Sequence, residues 1–269
     1  MRKLIVLQGV ASVTVLVILA VLVLLAPYVS PYVWDDVVGG VWDPVSMVNW
    51  LGTDNLGRDM YSRLLYAGRV TLFVALASTV LSLVIGTTVG LFAAVKGGWV
   101  DTVLSRLVDA MMSIPTLIFA LVILSILGTS TPVLIATIAV LDSTRVFRLT
   151  RAMAADIVVL EYFEAALLRR DSVFRLMFVE VLPNILSAKK TEFGLRFCNN
   201  FLEIASLSFL GMGIQPPLTD WGSMVRDNAT IISFGGIAPL IPATAIAVVT
   251  IAVNLIVDWT LESGSRHAQ

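Results

Sequence analysis

A chain of 269 residues that is 58% hydrophobic, only 14% charged and has a mean hydropathy of +0.92 is too apolar for an ordinary soluble domain and reads as an integral membrane protein. Its net charge of −1 gives no overall attraction to nucleic acid, so its basic residues inform through their placement. A single cysteine, Cys198, excludes an internal disulfide.

A helix needs roughly 20 apolar residues to cross a hydrocarbon core about 30 Å thick. Leu4 to Val29 carries no charge and follows Arg2 and Lys3. It is too long for the apolar part of a signal peptide, so it reads as an uncleaved first span. Val70 to Val95 is a second uncharged run, bounded by Arg69 and Lys96. Ala110 to Leu141 is a third, which Gly128 to Pro132 divides into two helices joined by a tight turn. The later of these two must borrow length beyond Asp142. A difficult fifth span is expected over Leu186 to Met212, which holds Lys189, Lys190, Glu192, Arg196 and Glu203. Each Lys, Arg or Asp at a helix centre costs about 2.5–3.5 kcal/mol on insertion. Pairing of Glu192 with Lys189 and Arg196 would reduce that cost, and the lysines lie near one end, where they can snorkel. Asn199, Asn200 and Glu203 then face protein or a water-filled cavity. The last run is Asn228 to Val257, with its helix expected to begin near Pro242.

The resulting arrangement is all-α, with six transmembrane helices. If the chain starts inside, 14 of its 18 basic residues fall in cytoplasmic pieces, nine of them between Arg145 and Arg196. Basic residues accumulate on the cytoplasmic side, so both termini are predicted there. The segment from Glu161 to Asn184 then lies in the largest cytoplasmic loop. In it Leu160, Phe163 and Leu167 recur at i, i+3 and i+7, as in a short amphipathic helix. Ala165 and Ala166 leave room for close approach of a partner. Glu161 and Glu164 sit where the helix dipole favours carboxylates. Val173, Phe174, Met177 and Phe178 make a second apolar stripe, which Pro183 is expected to end or kink. The pattern fits a docking helix and equally a surface helix that merely links two spans.

Glu164, Ala165 and Ala166, followed by Leu182 and Pro183, resemble the EAA loop of bacterial ATP-binding-cassette importer permeases. The segment Leu51 to Asp59, with Ser62, Arg63 and Arg69 to Leu72, resembles the dipeptide, oligopeptide and nickel branch. So do Leu207 to Pro217 with Trp221 and Gly222, and Asn254, Leu255 and Asp258. The resemblance implies a type I importer fold. It divides the chain into an N-terminal transmembrane helix (1–29), an external loop with an amphipathic helix (30–69), a permease core of five transmembrane helices (70–262, its EAA loop about 145–190) and a cytoplasmic tail (263–269). It further implies a second homologous permease, two ATPase subunits, an external solute-binding protein and surrounding membrane lipid as partners. ATP and Mg would be held by the ATPases and no cofactor by this chain. Glu161, Glu164, Ala165 and Ala166 would contact the ATPase, and Leu182 and Pro183 would brace the loop. Arg170 stands where the family usually has Gly, and a positive φ there suits Arg poorly.

No Gly-x-x-x-x-Gly-Lys-Ser/Thr run occurs, so ATP hydrolysis is not expected here. With His267 as the lone histidine, no His-based metal or catalytic site is expected. Cys198 reads as a packing residue, and Gly86 with Gly90 form a Gly-x-x-x-Gly pattern with no role assigned. Asp54 or Asn55 is expected to cap a helix with Tyr61, Leu64, Leu65 and Gly68 on one face. Trp221 is expected at the membrane interface. Glu203 and Asn200 are candidates for lining the translocation path; a pair of Glu203 with Arg196, or with a residue of the partner permease, is the structural alternative. The rival function is an ion-coupled secondary transporter using Glu203, Asp142 and Asp258 as relay carboxylates.

Overall fold

The computed structural model describes residues 2–264, with side chains from Gln8 to Glu262. Arg266 and His267 lie outside the described residues. Helix α1 (Arg2–Leu24) runs into the short α2 (Ala26–Val29), and an irregular segment then leads to α3 (Met60–Lys96). At 37 residues α3 is about 55 Å long. It therefore contains both the expected second span and the amphipathic stretch before it, as one helix. Its cap is Asp59 rather than Asp54 or Asn55: the carboxylate accepts from Ser62 N at 2.8 Å and Ser62 Oγ at 2.7 Å.

Gly97 and Gly98 end α3 with φ of 62° and 55°, and a Cβ at either would meet open space. Their role is conformational: two successive left-handed residues turn the chain into α4 (Gly98–Met112). Pro115 then starts α5 (Thr116–Leu127) after a bend of 89°. The apolar run expected as one helix from Ala110 is thus broken between Met112 and Thr116, because Pro115 has no N–H to continue α4. The predicted break after Leu127 is present: Gly128 ends α5, and α6 (Thr131–Ile157) starts with Pro132 in its first turn.

The chain continues through α7 (Glu161–Leu168), α8 (Val173–Arg175), a π-helical turn (Leu176–Val181) and α9 (Leu182–Phe209). Helix α10 (Trp221–Asp227), a 3-10 turn (Ala229–Phe234) and α11 (Leu240–Gly264) complete it. By length and apolarity, α3 and Leu240–Glu262 can each cross a membrane, and the bent α4 and α5 together form a third candidate. Helices α6 and α9 are long enough, at 27 and 28 residues, but bury charged side chains.

The most extensive helix pair is α3 with α6. Gly86 and Gly90 explain it. A Cβ on Gly86 would lie 2.5 Å from Ser143 O and Val146 Cβ, and one on Gly90 would lie 2.9 Å from Phe147 O. The Gly-x-x-x-Gly pattern therefore has a place here, allowing two backbones to approach where lipid supplies no hydrophobic drive.

Trp221 is buried, 1% exposed, not at an interface. Its ring meets Phe201 edge-on at 6.1 Å and its Nε1 donates to Leu64 O at 2.8 Å. The preceding Asp220 caps α10, and burial pushes its carboxyl above the ordinary carboxylate range. The irregular segment before α3 is locked onto this region. Asp54, fully buried, pairs with Arg58 at 2.8 Å and with Arg63, and Arg63 also donates to Thr219 at 3.1 Å. Trp42 Nε1 and Asn55 N both donate to Asn228 Oδ1, at 3.1 and 3.0 Å.

Candidate docking helix and buried charge network

Helix α7 has no side-chain cap, but Glu161 and Glu164 occupy its first turn, where their charges complement the unpaired N–H groups. Its inner face is Phe163 and Ala166, not the expected Leu160, Phe163 and Leu167: Leu160 and Leu167 are nearly half exposed. Phe163 and Ala166 pack into a cluster with Leu91 of α3, Ala154 and Ile157 of α6, and Leu176, Met177 and Val181 of the π-helical segment. The two alanines divide: Ala166 lets α7 approach this cluster closely, while Ala165 faces outward beside Glu161 and Glu164.

The turn after α7 is built on Arg170, whose φ is 57°. Arg170 N donates to Leu167 O at 2.9 Å and Asp171 N to Ala166 O at 3.3 Å, the paired hydrogen bonds of a Schellman motif. The expected difficulty at Arg170 is thus real, and the residue adopts the left-handed conformation regardless. Asp171 receives Arg169 at 3.1 Å and Arg175 at 3.7 Å, and Arg169 also reaches Glu180 at 3.2 Å. Ser172 then caps α8, accepting from Arg175 N.

Pro183 does not end the following helix. The π-helical turn ahead of it absorbs the missing donor, with Leu182 N reaching back to Met177 O. The chain accordingly runs as one rod from Val173 to Phe209, bulged at the π turn. Leu182 packs against the same cluster as α7, whereas Pro183 is exposed. Asn184 Nδ2 ties this rod to α7 through Tyr162 Oη at 3.1 Å.

A second assembly lies where α3, α5, α6 and α9 meet. Asp142, fully buried, accepts from Arg196 Nη1 at 3.0 Å, Ser82 Oγ at 3.0 Å and Asn200 Nδ2 at 3.3 Å. Asn200 also donates to Thr79 Oγ1 at 3.2 Å. Arg145, one helical turn after Asp142, approaches it at 3.6 Å, donates to Glu203 Oε1 at 3.3 Å and reaches Thr116 Oγ1 at 3.0 Å. Two carboxylates face two guanidiniums, so the group is neutral and avoids burying an uncompensated charge.

Two expected pairings are corrected. Arg196 belongs to Asp142 rather than Glu192, and Glu203 to Arg145 rather than Arg196. The pair of Lys189 with Glu192 is present at 2.6 Å, but Lys189 does not snorkel: it is 9% exposed and also donates to Thr150. Asp258 is exposed on α11 and is not a partner in this network, so the three carboxylates of the ion-coupled reading are not brought together. Arg145, Ser82, Thr79 and Thr116 escaped sequence reasoning. The available signal was the spacing of Arg145 three residues after Asp142, at the end of an apolar run.

A profile of the family described as binding-protein-dependent transport system inner membrane component matches residues 86–263. The chain is 32% identical over 257 residues to a dipeptide transport system permease protein of Haemophilus influenzae, covering 90% of this chain and 85% of that one. It is 36% identical over 208 residues to a di/tripeptide transport system permease protein of Pseudomonas aeruginosa, covering 77% and 69%. A glutathione transport system permease protein of Pectobacterium atrosepticum is 31% identical over 213 residues, covering 79% and 71%. The chain therefore belongs to the binding-protein-dependent inner membrane components, the permease subunits of ATP-binding-cassette importers, which leave catalysis to their ATPases.

Proposed function

We propose that this chain is one of two homologous permease subunits that together enclose the path for a small peptide. The path is driven by two ATPase subunits that bind ATP and Mg, and is fed by an external solute-binding protein. Peptides are the substrate class named for the H. influenzae and P. aeruginosa relatives, and the glutathione named for a third is itself peptidic. Six spanning helices fit this reading: α1, α3, the bent α4 and α5, α6, α9 and α11. With the N-terminus inside, α7 lies on the cytoplasmic side and both termini share that side, as the distribution of basic residues favours.

The observation that carries the reading is α7 itself. Phe163 and Ala166 seat it on the π-helical segment, in a cluster shared with the ends of α3 and α6, and it presents Glu161, Glu164 and Ala165 outward as a face for the ATPase. Arg170 shapes the end of that face, and Leu182 with Pro183 joins it to α9. Asn200 and Glu203 belong to the helix that would line the path. No observation favours ion-coupled transport, since Asp142 is neutralised by Arg196.

Gentle purification of the tagged chain is expected to recover a second permease and ATPases, and to sustain peptide uptake in vesicles only with ATP and binding protein. Uptake by the purified chain alone under an ion gradient would refute the reading.

A further inference from the structure

We propose that Arg145 and Glu203 form a binding site for a zwitterionic solute in the translocation path, Glu203 receiving its ammonium group and Arg145 its carboxylate. This rests on the peptide reading above and names the part of the permease that reads the peptide termini.

The charge network has two layers. Asp142 and Arg196 form the inner one, held by Ser82 and Asn200, with Asp142 wholly buried. Arg145 and Glu203 form the outer one, their side chains 35% and 19% exposed. The inner pair fixes the geometry; the outer pair is accessible. Its contacts are also incomplete. Glu203 Oε2 is buried with no hydrogen-bond partner among the described residues, and so are Arg196 Nε and Asn200 Oδ1. An unpaired buried carboxylate oxygen costs about as much as a lost charge-assisted hydrogen bond. Oε2 is covered in the closed pair, so it would accept a solute's donor once the solute displaces the contact with Arg145.

The side on which the pair opens is polar. Arg196, Asn199, Glu203 and Ser206 recur along one stripe of α9, and Asn199 and Ser206 are exposed. On α6, Arg148 is exposed one turn beyond Arg145. Ionisable groups at such depth face water or protein, because lipid would charge each of them several kcal/mol. The stripe occupies the C-terminal half of α9 and meets α6 near its middle, at Arg145.

A zwitterion suits this pair for an electrostatic reason. Glu203 and Arg145 neutralise one another when the path is empty. An ammonium and a carboxylate held on one small molecule can replace each partner with a like-signed group, leaving the net charge of the site unchanged. A solute carrying a single charge would leave one member unpaired. The site therefore favours molecules with both termini free, and an end-blocked peptide forfeits one of the two contacts.

The test uses the whole complex in vesicles with its binding protein, normalised to assembled complex, and three probes: alanyl-alanine, its N-acetyl form and its C-terminal amide. Glu203→Gln is expected to lower alanyl-alanine uptake by about tenfold, the scale of one charge-assisted contact, and to leave N-acetyl uptake as in the unmodified complex. Arg145→Gln is expected to do the reverse, sparing the amide. If each variant lowers all three probes alike, or neither lowers any, the pair is structural and the site is refuted. Where blocked probes are not carried at all, the double variant Arg145→Gln with Glu203→Gln decides, because Asp142 keeps Arg196 and no charge of the outer pair is left unpartnered. Recovery of alanyl-alanine uptake toward the unmodified level overturns the proposal, and a loss at least as deep as in either single variant supports it. An unmodified complex that imports another solute but no peptide removes the peptide reading instead, and this site with it.

Discussion

Arg170 carries a side chain in a backbone region that glycine enters without steric cost, and the Schellman hydrogen bonds hold it there. Its Cβ crowds the neighbouring carbonyl, a penalty of about 1–2 kcal/mol. The surrounding charges do little to offset it, since Arg169 and Arg175 are more than half exposed and such pairs contribute at most about 1 kcal/mol. Arg170→Gly is therefore expected to stabilise the chain by about 1 kcal/mol, less the extra entropy of glycine in the unfolded state, raising the thermal midpoint in detergent by about 2–4 °C. Arg170→Val should lower it, because a branched side chain is poorly tolerated at positive φ. A midpoint unchanged by both replacements would mean that the turn relaxes out of the left-handed region.

At the scale of helices, the decisive residues are small ones. The approach of α3 to α6 leaves no room at Gly86, so Gly86→Leu is expected to push the pair apart and cost about 1–3 kcal/mol or more. Gly97→Ala, which meets nothing, should cost about 1 kcal/mol through its φ alone. Thermal unfolding of the two variants side by side checks the ordering, and a smaller effect at Gly86 would contradict this account of the interface.

The same scale shows how far the sequence could be read. The apolar runs of α1, α3 and α11 were visible because hydrophobicity accumulates over many residues, and Gly128 with Pro132 marked a break by local chemistry. Pro183 misled for the opposite reason: whether a proline ends a helix depends on what its neighbours supply, and here a π-helical turn absorbed it. Trp221 misled because aromatic residues serve both interfaces and cores. In the charge network, spacing along one helix suggested Arg196 with Glu192. The partner that prevailed, Asp142, lies 54 residues away on α6, a contact no local pattern encodes.

Across the whole molecule, one apolar cluster connects the face that α7 presents to the helices that hold the charge network. Phe163 and Ala166 share one buried cluster with Leu91 at the end of α3, Ala154 and Ile157 at the end of α6, and Met177 and Val181 at the start of the α9 rod, the segment α7 packs on most. Close-packed interiors transmit displacement rather than absorb it, so on the proposed docking of an ATPase against α7 a push on that helix is expected to reach α6 and α9 through this cluster. Docking and transmission would then belong to different residues on the same short helix. Glu164→Arg reverses a charge on the outer face and is expected to strip the ATPases from the purified complex and reduce uptake more than tenfold, while this chain stays with its partner permease. Phe163→Ala leaves that face intact but opens a cavity worth about 3–5 kcal/mol beneath it. It is expected to keep the ATPases bound while uptake per ATP hydrolysed falls, because the helix moves without carrying α6 and α9 with it. Retention of ATPase and the ratio of uptake to hydrolysis, measured on both variants, separate the two roles. Loss of ATPase to the same extent in both would mean that the cluster only shapes the docking face, and that displacement reaches the charge network by another route.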